Sequence, residues 1–316
     1  MPRILFVKTS SLGDVVHNCP AVNDVARRVP GASIDWVVEE AFAEIAALHA
    51  CVRRVIPVSI RRWRGAPLSP ATWSQIAGFQ RELRRERYDC VIDSQGLLKS
   101  AFVAWFARGP KNGYDRASAR EPLAAGFYDL RHSVPQAMHA VERNRRLAGA
   151  ALGYASQGPG DYGLRAAGEP PLAMGAPFAV LLTMTSRSDK LWPEARWGTL
   201  ARALGGRGLR CVLPWGSEAE RGGCERIALG IDGAIVPRRM TLSELARLMC
   251  QARCVAGVDT GLTHLAAALG APVVGIFSGS DPALTGLYGG AHMRNVGGDG
   301  APPSAAEVLG ALEALA

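Results

Sequence analysis

The chain has 316 residues, of which 48% are hydrophobic and 20% charged, values that exclude a disordered protein. This length suits two domains of ordinary size. The net charge of +8, from 36 Lys and Arg against 28 Asp and Glu, favours an anionic partner such as a phosphate-bearing substrate, nucleic acid or a membrane face. A general bias toward basic residues would explain the charge alone equally well.

The cysteines and the N-terminus indicate a reducing compartment. The seven Cys form no C-x-x-C pair, and several, such as Cys90 and Cys211, sit in apolar runs typical of buried thiols. A strand pattern starts directly after Pro2 and Arg3, without a secretory signal, and no run of about 18 apolar residues follows. We therefore expect a cytoplasmic protein, and any membrane contact must be peripheral.

The first half of the chain alternates strands and helices. Apolar runs predict strands at 4–7, 33–38, 52–58 and 90–92, and helices from near Pro20, at 41–49, 71–87, 97–108 and 136–151. Residues 109–135 show no regular pattern. Strand–helix alternation predicts a parallel sheet with right-handed crossovers.

A Gly-, Pro- and Ala-rich stretch at 153–176 reads as a linker, and a second alternating series follows it. Its predicted strands are 178–184, 209–214, 233–236, 255–258 and 272–277, and its predicted helices are 193–205, 217–229, 241–251, 262–269 and 304–315. We expect an α/β protein of two Rossmann-like, doubly wound domains, 1–160 and 170–316, facing a central cleft. The last helix would be free to pack back on the first domain. Ligands of such sheets bind beyond the carboxyl ends of the strands.

The unit 255–277 carries the strongest signal. Asp259, Thr260 and Gly261 form a turn between a buried strand and a helix, and His264 lies in the first turn of that helix. Unpaired N–H groups and the helix dipole make such a position suited to phosphate. The alternative is an ordinary capped helix, because Asp and Thr are common N-cap residues.

Two further turns place polar groups after strands. Asp14 follows the first strand, where a carboxylate can accept a proton from a hydroxyl, or can simply cap the first helix. In the turn from Thr185 to Pro193, Lys190 and the hydroxyl of Ser186 fit phosphate binding, although a solvated loop explains them equally well.

A third turn, Leu213 to Gly216, is followed by Glu220, whose carboxylate could accept hydrogen bonds from ribose hydroxyls or lie exposed in a helix. Met240 could pack on a flat base, and a core position is at least as good an interpretation. Arg61, Arg62 and Arg64 surround Trp63 in a predicted loop, where binding residues are common.

Several site classes are disfavoured. The six His are scattered without a ligand pair, which argues against a metal site. The one G-x-G-x-x-G match, Gly158, Gly160 and Gly163, lies in the linker and lacks the strand and helix of a dinucleotide site. The chain contains neither a P-loop nor the G-x-S-x-G elbow of a hydrolase.

Specific segments resemble the heptosyltransferases of glycosyltransferase family 9, and they run through nearly the whole chain. They are VKTSSLGDVVH at 7–17, DWVVEE at 35–40, VIPVSIRRWR at 55–64, VIDSQGLLKS at 91–100, AREPLA at 119–124, HAVER at 139–143, LPWG at 213–216 and VDTGLTHLAAAL at 258–269. The resemblance implies a GT-B fold and an inverting transfer of L-glycero-D-manno-heptose from ADP-heptose to Kdo of Kdo-lipid A.

The resemblance also implies roles for residues. Asp14 would be the base that deprotonates the acceptor hydroxyl, and Lys190 with the helix start at 260–264 would hold the diphosphate. Donor-binding residues would be Thr185, Ser186, Lys190, Glu220, Met240, Asp259, Thr260, Gly261 and His264. Acceptor-binding residues would be Ser10, Ser11, Arg61, Arg62, Arg64, Gln95, Arg120 and His139. Ser186 stands where the family pattern leads us to expect Thr, and it keeps the hydroxyl.

We expect a monomer that needs no cofactor or metal and binds no nucleic acid. A nucleic-acid-binding module is disfavoured because the polar turns recur at strand ends rather than forming a Lys/Arg face with aromatics. Within the fold, the RRWR and AREPLA segments favour type I heptosyltransferases over type II. A type II enzyme and another nucleotide-sugar enzyme, such as an epimerase, are the remaining alternatives.

Overall fold

The structure is a computed structural model that describes residues 1–315 of the 316-residue chain. The chain divides between Leu164 and Arg165 into two compact units. This division lies inside the Gly- and Pro-rich stretch 153–176. Each unit contains one parallel sheet with helices around it.

The sheet of the first unit has six parallel strands in the order β3-β2-β1-β4-β5-β6. The strands are β1 (Arg3–Val7), β2 (Ser33–Glu39), β3 (Val52–Val58), β4 (Cys90–Asp93), β5 (Lys111–Tyr114) and β6 (Leu130–His132). The strand order reverses between β1 and β4, where Val7 pairs with Asp93. The turns after these two strands therefore meet at the switch point of the sheet, the usual ligand position in this architecture.

The helices of the first unit cover both faces of its sheet. They are α1 (Leu12–Arg28), α2 (Ala43–Ala47), α3 (Ile60–Gly65), α4 (Pro70–Leu83), α5 (Leu98–Phe106) and α6 (Ala140–Leu152), with 3-10 turns at Glu40–Phe42 and Pro122–Phe127. The connection from β1 through α1 runs to β2, and the connection from β4 through α5 runs in the opposite direction across the sheet to β5. Because both connections are right-handed, the two helices lie on opposite faces. Helix α6 packs against α1. Leu83 of α4 and Val103 of α5 share a core cluster with Leu5, Val7 and Val91 of the strands.

Three expectations for the first unit are wrong. Helix α1 begins at Leu12 rather than near Pro20, because Val15, Val16 and Cys19 bury an apolar face that offsets the cost of an internal proline. The arginine group at 61–64 lies in the short helix α3 rather than in a loop. The stretch 109–135 contains β5 and β6, which are short and carry the polar or Gly-containing sequences KNGY and LRH.

The sheet of the second unit has five parallel strands in the order β11-β10-β9-β7-β8. The strands are β7 (Phe178–Leu182), β8 (Arg210–Val212), β9 (Cys254–Val258), β10 (Val273–Phe277) and β11 (Met293–Gly297). The helices are α7 (Glu194–Gly205), α8 (Glu218–Ala228), α9 (Leu242–Gln251), α10 (Gly261–Ala268), α11 (Pro282–Thr285) and α12 (Ala305–Glu313), with a 3-10 turn at Ser188–Lys190. The order reverses between β7 and β9, so the turns after these strands adjoin.

The second unit differs from expectation at its edges. The predicted strand 233–236 is reduced to a single bridge between Ile235 and Val212. Strand β11 was not predicted, because RNVG within it is largely exposed and mostly polar. Helix α12 packs against α7 and the neighbouring strands of the second sheet.

Gly257 in β9 tests the packing that holds α10 on the sheet. A Cβ there would lie 2.2 Å from Thr263 Oγ1 and 3.0 Å from Leu182 Cβ. Thr263 cannot turn aside easily, because its hydroxyl donates to the Val258 carbonyl at 2.7 Å. We expect Gly257→Ala to lower the free energy of unfolding by about 1–3 kcal/mol, measured by thermal or denaturant unfolding.

The matched control is Gly310→Ala in α12, where a Cβ would meet no heavy atom within 4 Å. Alanine in a helix should stabilise by roughly 0.5–1 kcal/mol there. Equal unfolding midpoints for Gly257→Ala and the unmodified protein would contradict the packing described for β9 and α10.

Candidate functional site

The side chain of Asp259 is the centre of a polar cluster in the second unit. It lies just after β9, and its side chain is 6% exposed. Its Oδ2 accepts hydrogen bonds from Lys190 Nζ at 2.5 Å and from Ser280 Oγ at 2.5 Å, and its Oδ1 lies 3.2 Å from His264 Nε2. The cluster therefore joins the turns that follow β7, β9 and β10.

The partners of Asp259 keep it ionised. Burial alone would raise the pKa of this carboxyl group, but hydrogen bonds from His264, Lys190 and Ser280 outweigh burial and hold its pKa well below the usual range. The carboxylate in turn fixes the Lys190 ammonium beside α10. An ammonium has three N–H donors, and only one is needed for Asp259, so the others can bind an anion.

The start of α10 favours the anion-site interpretation over a simple cap. Thr260 is the N-cap residue, yet its side chain makes no capping hydrogen bond. The Asp259 carboxylate is engaged by the side chains of Lys190, Ser280 and His264. The first hydrogen bonds of α10 run from the Thr263 and His264 N–H groups to the Thr260 carbonyl, at 3.0 and 3.3 Å, so the N–H groups of Gly261 and Leu262 lie ahead of them at the positive end of the helix dipole. Lys190 and α10 thus present positive charge together.

The other predicted donor residues have varied surroundings. Thr185 Oγ1 donates to the Asp259 carbonyl at 3.3 Å, and Ser186 is exposed in the same turn. Glu220 Oε2 accepts the backbone N–H groups of Gly216 at 2.7 Å and Ser217 at 3.1 Å, which makes it the capping-box residue of α8. Met240 is 8% exposed. The structure thus brings Thr185 to the Asp259 cluster and gives Glu220 a capping role.

Asp14 lies in the first turn of α1, the helix that follows β1 at the switch point of the first sheet. It is the third residue of α1, and its side chain is 20% exposed. Its carboxylate accepts the Ser11 backbone N–H at 3.0 Å and lies 3.2 and 3.3 Å from Arg120 Nη1. Lys8, buried at the end of β1, donates to the Ser94 carbonyl at 2.7 Å. Asp14 therefore both caps α1 and faces cations.

The charges around Asp14 set its protonation state. Burial would raise its pKa, but Lys8, Arg120 and the Ser11 N–H outweigh burial and lower the pKa. Burial lowers the pKa of Lys8 to about 8, with Asp14 opposing the shift. At neutral pH both groups are charged, so Asp14 is in the form that can accept a proton.

Gln95 fixes the turn that carries Asp14. Its Oε1 accepts the backbone N–H groups of Thr9 at 2.8 Å and Ser10 at 3.1 Å, and its Nε2 donates back to the Ser10 carbonyl. Lys99 Nζ donates to Ser10 Oγ at 2.8 Å. Gln95 is 1% exposed, so the structure gives it a positioning role in the turn.

The remaining predicted acceptor residues lie on α3 and at the start of α6. The guanidinium of Arg61 lies 5.6 Å from the centre of the Phe42 ring, Arg62 pairs with Glu40 at 3.2 Å, and Arg64 is exposed. His139 is the N-cap residue of α6, and its ring lies edge-to-face with His17 at 5.6 Å. In the described residues, no ion pair links the three arginines of α3 to Asp14.

The described part of the chain contains no group of side chains arranged to bind a metal ion. Within residues 1–315, no group of three or more His, Cys, Asp or Glu side chains is placed to hold an ion. The expectation that no metal is needed stays a prediction, since it concerns the reaction.

Sequence reasoning missed two members of these clusters. Ser280 belongs to Ser278-Gly279-Ser280, a polar turn directly after β10, so the rule that located the other turns would have found it. Lys8 was not singled out within the segment VKTSSLGDVVH at 7–17. A single Lys at the end of an apolar strand is the signal that marks it, because burying its charge requires a carboxylate nearby.

Comparison with known proteins shows the family of this chain. The sequence pattern described as "Glycosyltransferase family 9 (heptosyltransferase)" matches residues 76–305. The chain belongs to glycosyltransferase family 9. It is 46% identical over 290 residues to the lipopolysaccharide heptosyltransferase 1 of Salmonella typhimurium, which covers 91% of this chain and 92% of that protein.

Two solved structures of a family 9 enzyme are similar along nearly the whole chain. One is the E. coli heptosyltransferase WaaC with ADP, at TM-score 0.93 and 42% identity, covering 99% of this chain and 100% of that one. The other is the same enzyme with ADP-2-deoxy-2-fluoro heptose, at TM-score 0.88 and 40% identity, with coverage of 99% and 100%. The two parallel sheets are those of the GT-B fold, and the protein is a glycosyltransferase.

The Lys190–Asp259 pair gives a stability test of the second cluster. Lys190→Met leaves the buried Asp259 carboxylate with only Ser280 and His264 as partners. We therefore expect the free energy of unfolding to fall by about 2 kcal/mol or more at pH 7, and the pKa of Asp259 to rise. In the unmodified protein the pKa of Asp259 lies below its unfolded value of about 3.9, so the stabilisation from its ionised form is fully present above about pH 3.9. It is lost as the pH falls through the folded pKa. Denaturant unfolding and carboxyl NMR titration measure the two effects.

The matched control is Arg187→Met, which removes the exposed Arg187–Asp189 pair in the same turn. We expect no measurable change in stability, because exposed ion pairs contribute little. A Lys190→Met variant as stable as this control would show that Asp259 does not depend on the Lys190 ammonium.

Proposed function

We propose that this family 9 enzyme transfers L-glycero-D-manno-heptose from ADP-heptose to Kdo of Kdo-lipid A, with inversion at the anomeric carbon, in the synthesis of the lipopolysaccharide inner core. The similarity to lipopolysaccharide heptosyltransferase 1 supports the heptose and the pathway. The related structures with ADP and with a heptose analogue support the donor. The observation that carries the proposal is the carboxylate that accepts a hydrogen bond from a Lys or Arg side chain at the switch point of each sheet, Asp259 from Lys190 and Asp14 from Arg120.

The donor would be held in the second unit. Its diphosphate would bind the N–H groups of Lys190 that Asp259 leaves available and the backbone N–H groups at the start of α10. These donors would stabilise the negative charge that develops as ADP leaves. Thr185, Ser186, Glu220 and Met240 would surround the rest of the nucleotide.

Asp14 would act as the base on the acceptor. Its carboxylate would take the proton of the acceptor hydroxyl as that oxygen attacks the anomeric carbon from the face opposite to ADP. The bond from the anomeric carbon to the diphosphate oxygen then breaks, and ADP leaves with the electron pair. One such displacement inverts the anomeric configuration.

The acceptor carries acidic groups that suit the basic residues of the first unit. Arg120, which lies against Asp14, would bind the carboxylate of Kdo, and Arg61, Arg62 and Arg64 would meet further acidic groups. Ser10, Ser11, Gln95 and His139 complete the proposed acceptor site. We infer that Lys190 supplies the cation for the leaving group, without a metal or other cofactor. A monomer at the cytoplasmic face of the inner membrane is the form we propose.

Replacing the proposed base tests its role. We expect Asp14→Asn to lower kcat by a factor of about 10² to 10⁴ while the Kd for ADP-heptose stays the same, because the second unit would hold the donor. Turnover assays and calorimetric titration measure the two quantities. Asp89→Asn, which alters an exposed carboxylate that accepts the Arg3 N–H, is the control and should change neither. Near-normal turnover by Asp14→Asn would rule out Asp14 as the base.

The acceptor preference separates type I from type II activity. We expect ADP release from ADP-heptose to be fast with Kdo-lipid A and at least about tenfold slower with an acceptor that already carries the first heptose. The reverse preference would establish type II activity instead. The same assay with a chelator should give unchanged rates, and loss of activity on chelation would refute the metal-free mechanism.

A further inference from the structure

Helix α5 exposes an aromatic stripe that the proposed reaction does not use. Leu98, Phe102 and Trp105 are 39%, 50% and 54% exposed and recur at intervals of four and three residues, so they share one face of the helix. The Phe102 and Trp105 rings stack at 6.0 Å, and Phe106 contacts Trp105 edge-to-face at 5.2 Å. Such a surface is costly to leave in water.

Exposed apolar side chains concentrate around this helix. The 3-10 turn Pro122–Phe127 packs against α5 and contributes Leu123, which is 64% exposed. Within residues 1–315, no large apolar side chain is exposed on α1 or α6, which cover the opposite face of the sheet. The apolar surface is therefore specific to one side of the first unit.

Three arginines form a basin between the C-terminal ends of α4 and α5, two helices that share a core cluster through Leu83 and Val103. Arg81 of α4, Arg84 just beyond its end, and Arg108, two residues beyond the end of α5, line a shallow surface basin of about 590 Å³. In the described part of the chain, no carboxylate lies within 4.0 Å of their guanidinium groups. The basin thus carries unneutralised positive charge.

The acidic residues near the basin pair with arginines of β3 instead of with the arginines of the basin. Glu82 pairs with Arg54 at 2.5 Å, and Glu86 pairs with Arg53 at 2.8 Å. The sequence RELRRER at 81–87, which begins in α4 and continues beyond its end, mixes Arg with Glu. Ion pairing with β3 directs the two carboxylates away from the arginines of the basin, which stay exposed.

We propose that the stripe and the basin together, called the α4/α5 face (Leu98, Phe102, Trp105, Arg81, Arg84 and Arg108), dock on an anionic phospholipid bilayer. Arginine guanidinium groups pair with lipid phosphates, and aromatic rings reside at the membrane–water interface. Positive charge and aromatic area on two helices that pack over the same core cluster fit this partner better than a neutral protein groove.

The rest of the structure is consistent with a peripheral contact. No helix in residues 1–315 is long and apolar enough to cross a bilayer, so docking would be by a surface. The start of α5 adjoins the Asp14 turn, because Lys99 donates to Ser10 Oγ at 2.8 Å. Docking would bring that turn close to a lipid-anchored acceptor, a consequence that rests on the proposed function.

Vesicle binding tests the α4/α5 face without any substrate. The full chain is mixed with phosphatidylglycerol/phosphatidylcholine vesicles or with pure phosphatidylcholine vesicles, and the bound fraction is measured by flotation at low and high salt. We expect binding only to the anionic vesicles, weakened at least about tenfold by 0.5 M salt. The triple variant Arg81→Gln/Arg84→Gln/Arg108→Gln and the double variant Phe102→Ser/Trp105→Ser should each lose at least about tenfold in affinity.

A second triple variant, Arg28→Gln/Arg146→Gln/Arg202→Gln, removes the same charge from exposed positions outside the face and should bind like the unmodified chain. An equal loss in this control would show that net charge alone drives binding, and would overturn the proposal. Absence of binding by the unmodified chain would also overturn it, whatever the transferase assay shows. Vesicle binding by a chain that transfers no heptose to Kdo-lipid A would support the docking face and refute the proposed function.

Discussion

Each unit holds a carboxylate in a turn or helix start that follows a parallel strand, and the structure depends on groups that balance the negative charge of that carboxylate. Asp259 is compensated by Lys190, Ser280 and His264, and Asp14 by Lys8 and Arg120. A buried charge without partners would lower the free energy of unfolding by several kcal/mol. The turns after neighbouring strands must therefore keep fixed geometries that supply these partners. The same requirement that stabilises these turns therefore arranges cations at each switch point.

The two carboxylates would serve different steps of the proposed transfer. Asp259 is tied to a lysine, so it would act through that lysine on the leaving diphosphate. Asp14 has no such direct lysine bond, and its contacts to Arg120 are 3.2 and 3.3 Å, longer than a strong ion pair. An acidic group of the acceptor could take the place of Asp14 as the partner of Arg120. The Asp14 carboxylate would then be available to accept a proton. The lowered pKa keeps Asp14 ionised but also limits its strength as a base, and positioning must supply the rest of the catalysis.

Much of this arrangement could be predicted from the sequence, because buried parallel strands are continuous apolar runs and the turns after them meet at one edge. That rule located Asp14, Lys190 and Asp259 before their contacts were known. It could not find β5 or β11, because the short inner strand β5 has the polar, Gly-containing sequence KNGY and the edge strand β11 is largely exposed. Nor could it show that Glu220 closes a capping box or that Glu82 turns toward Arg54, because these depend on which of several partners a side chain reaches.

The central claim is a single displacement in which a hydroxyl activated by Asp14 expels an ADP held by Lys190 and α10. The stereochemistry of the product tests it most directly. The anomeric configuration of the transferred heptose is determined by NMR on the product formed from ADP-heptose and Kdo-lipid A. The account predicts the configuration opposite to that of the donor. Retention would require an intermediate or a different attacking face, and would contradict direct attack by the acceptor hydroxyl.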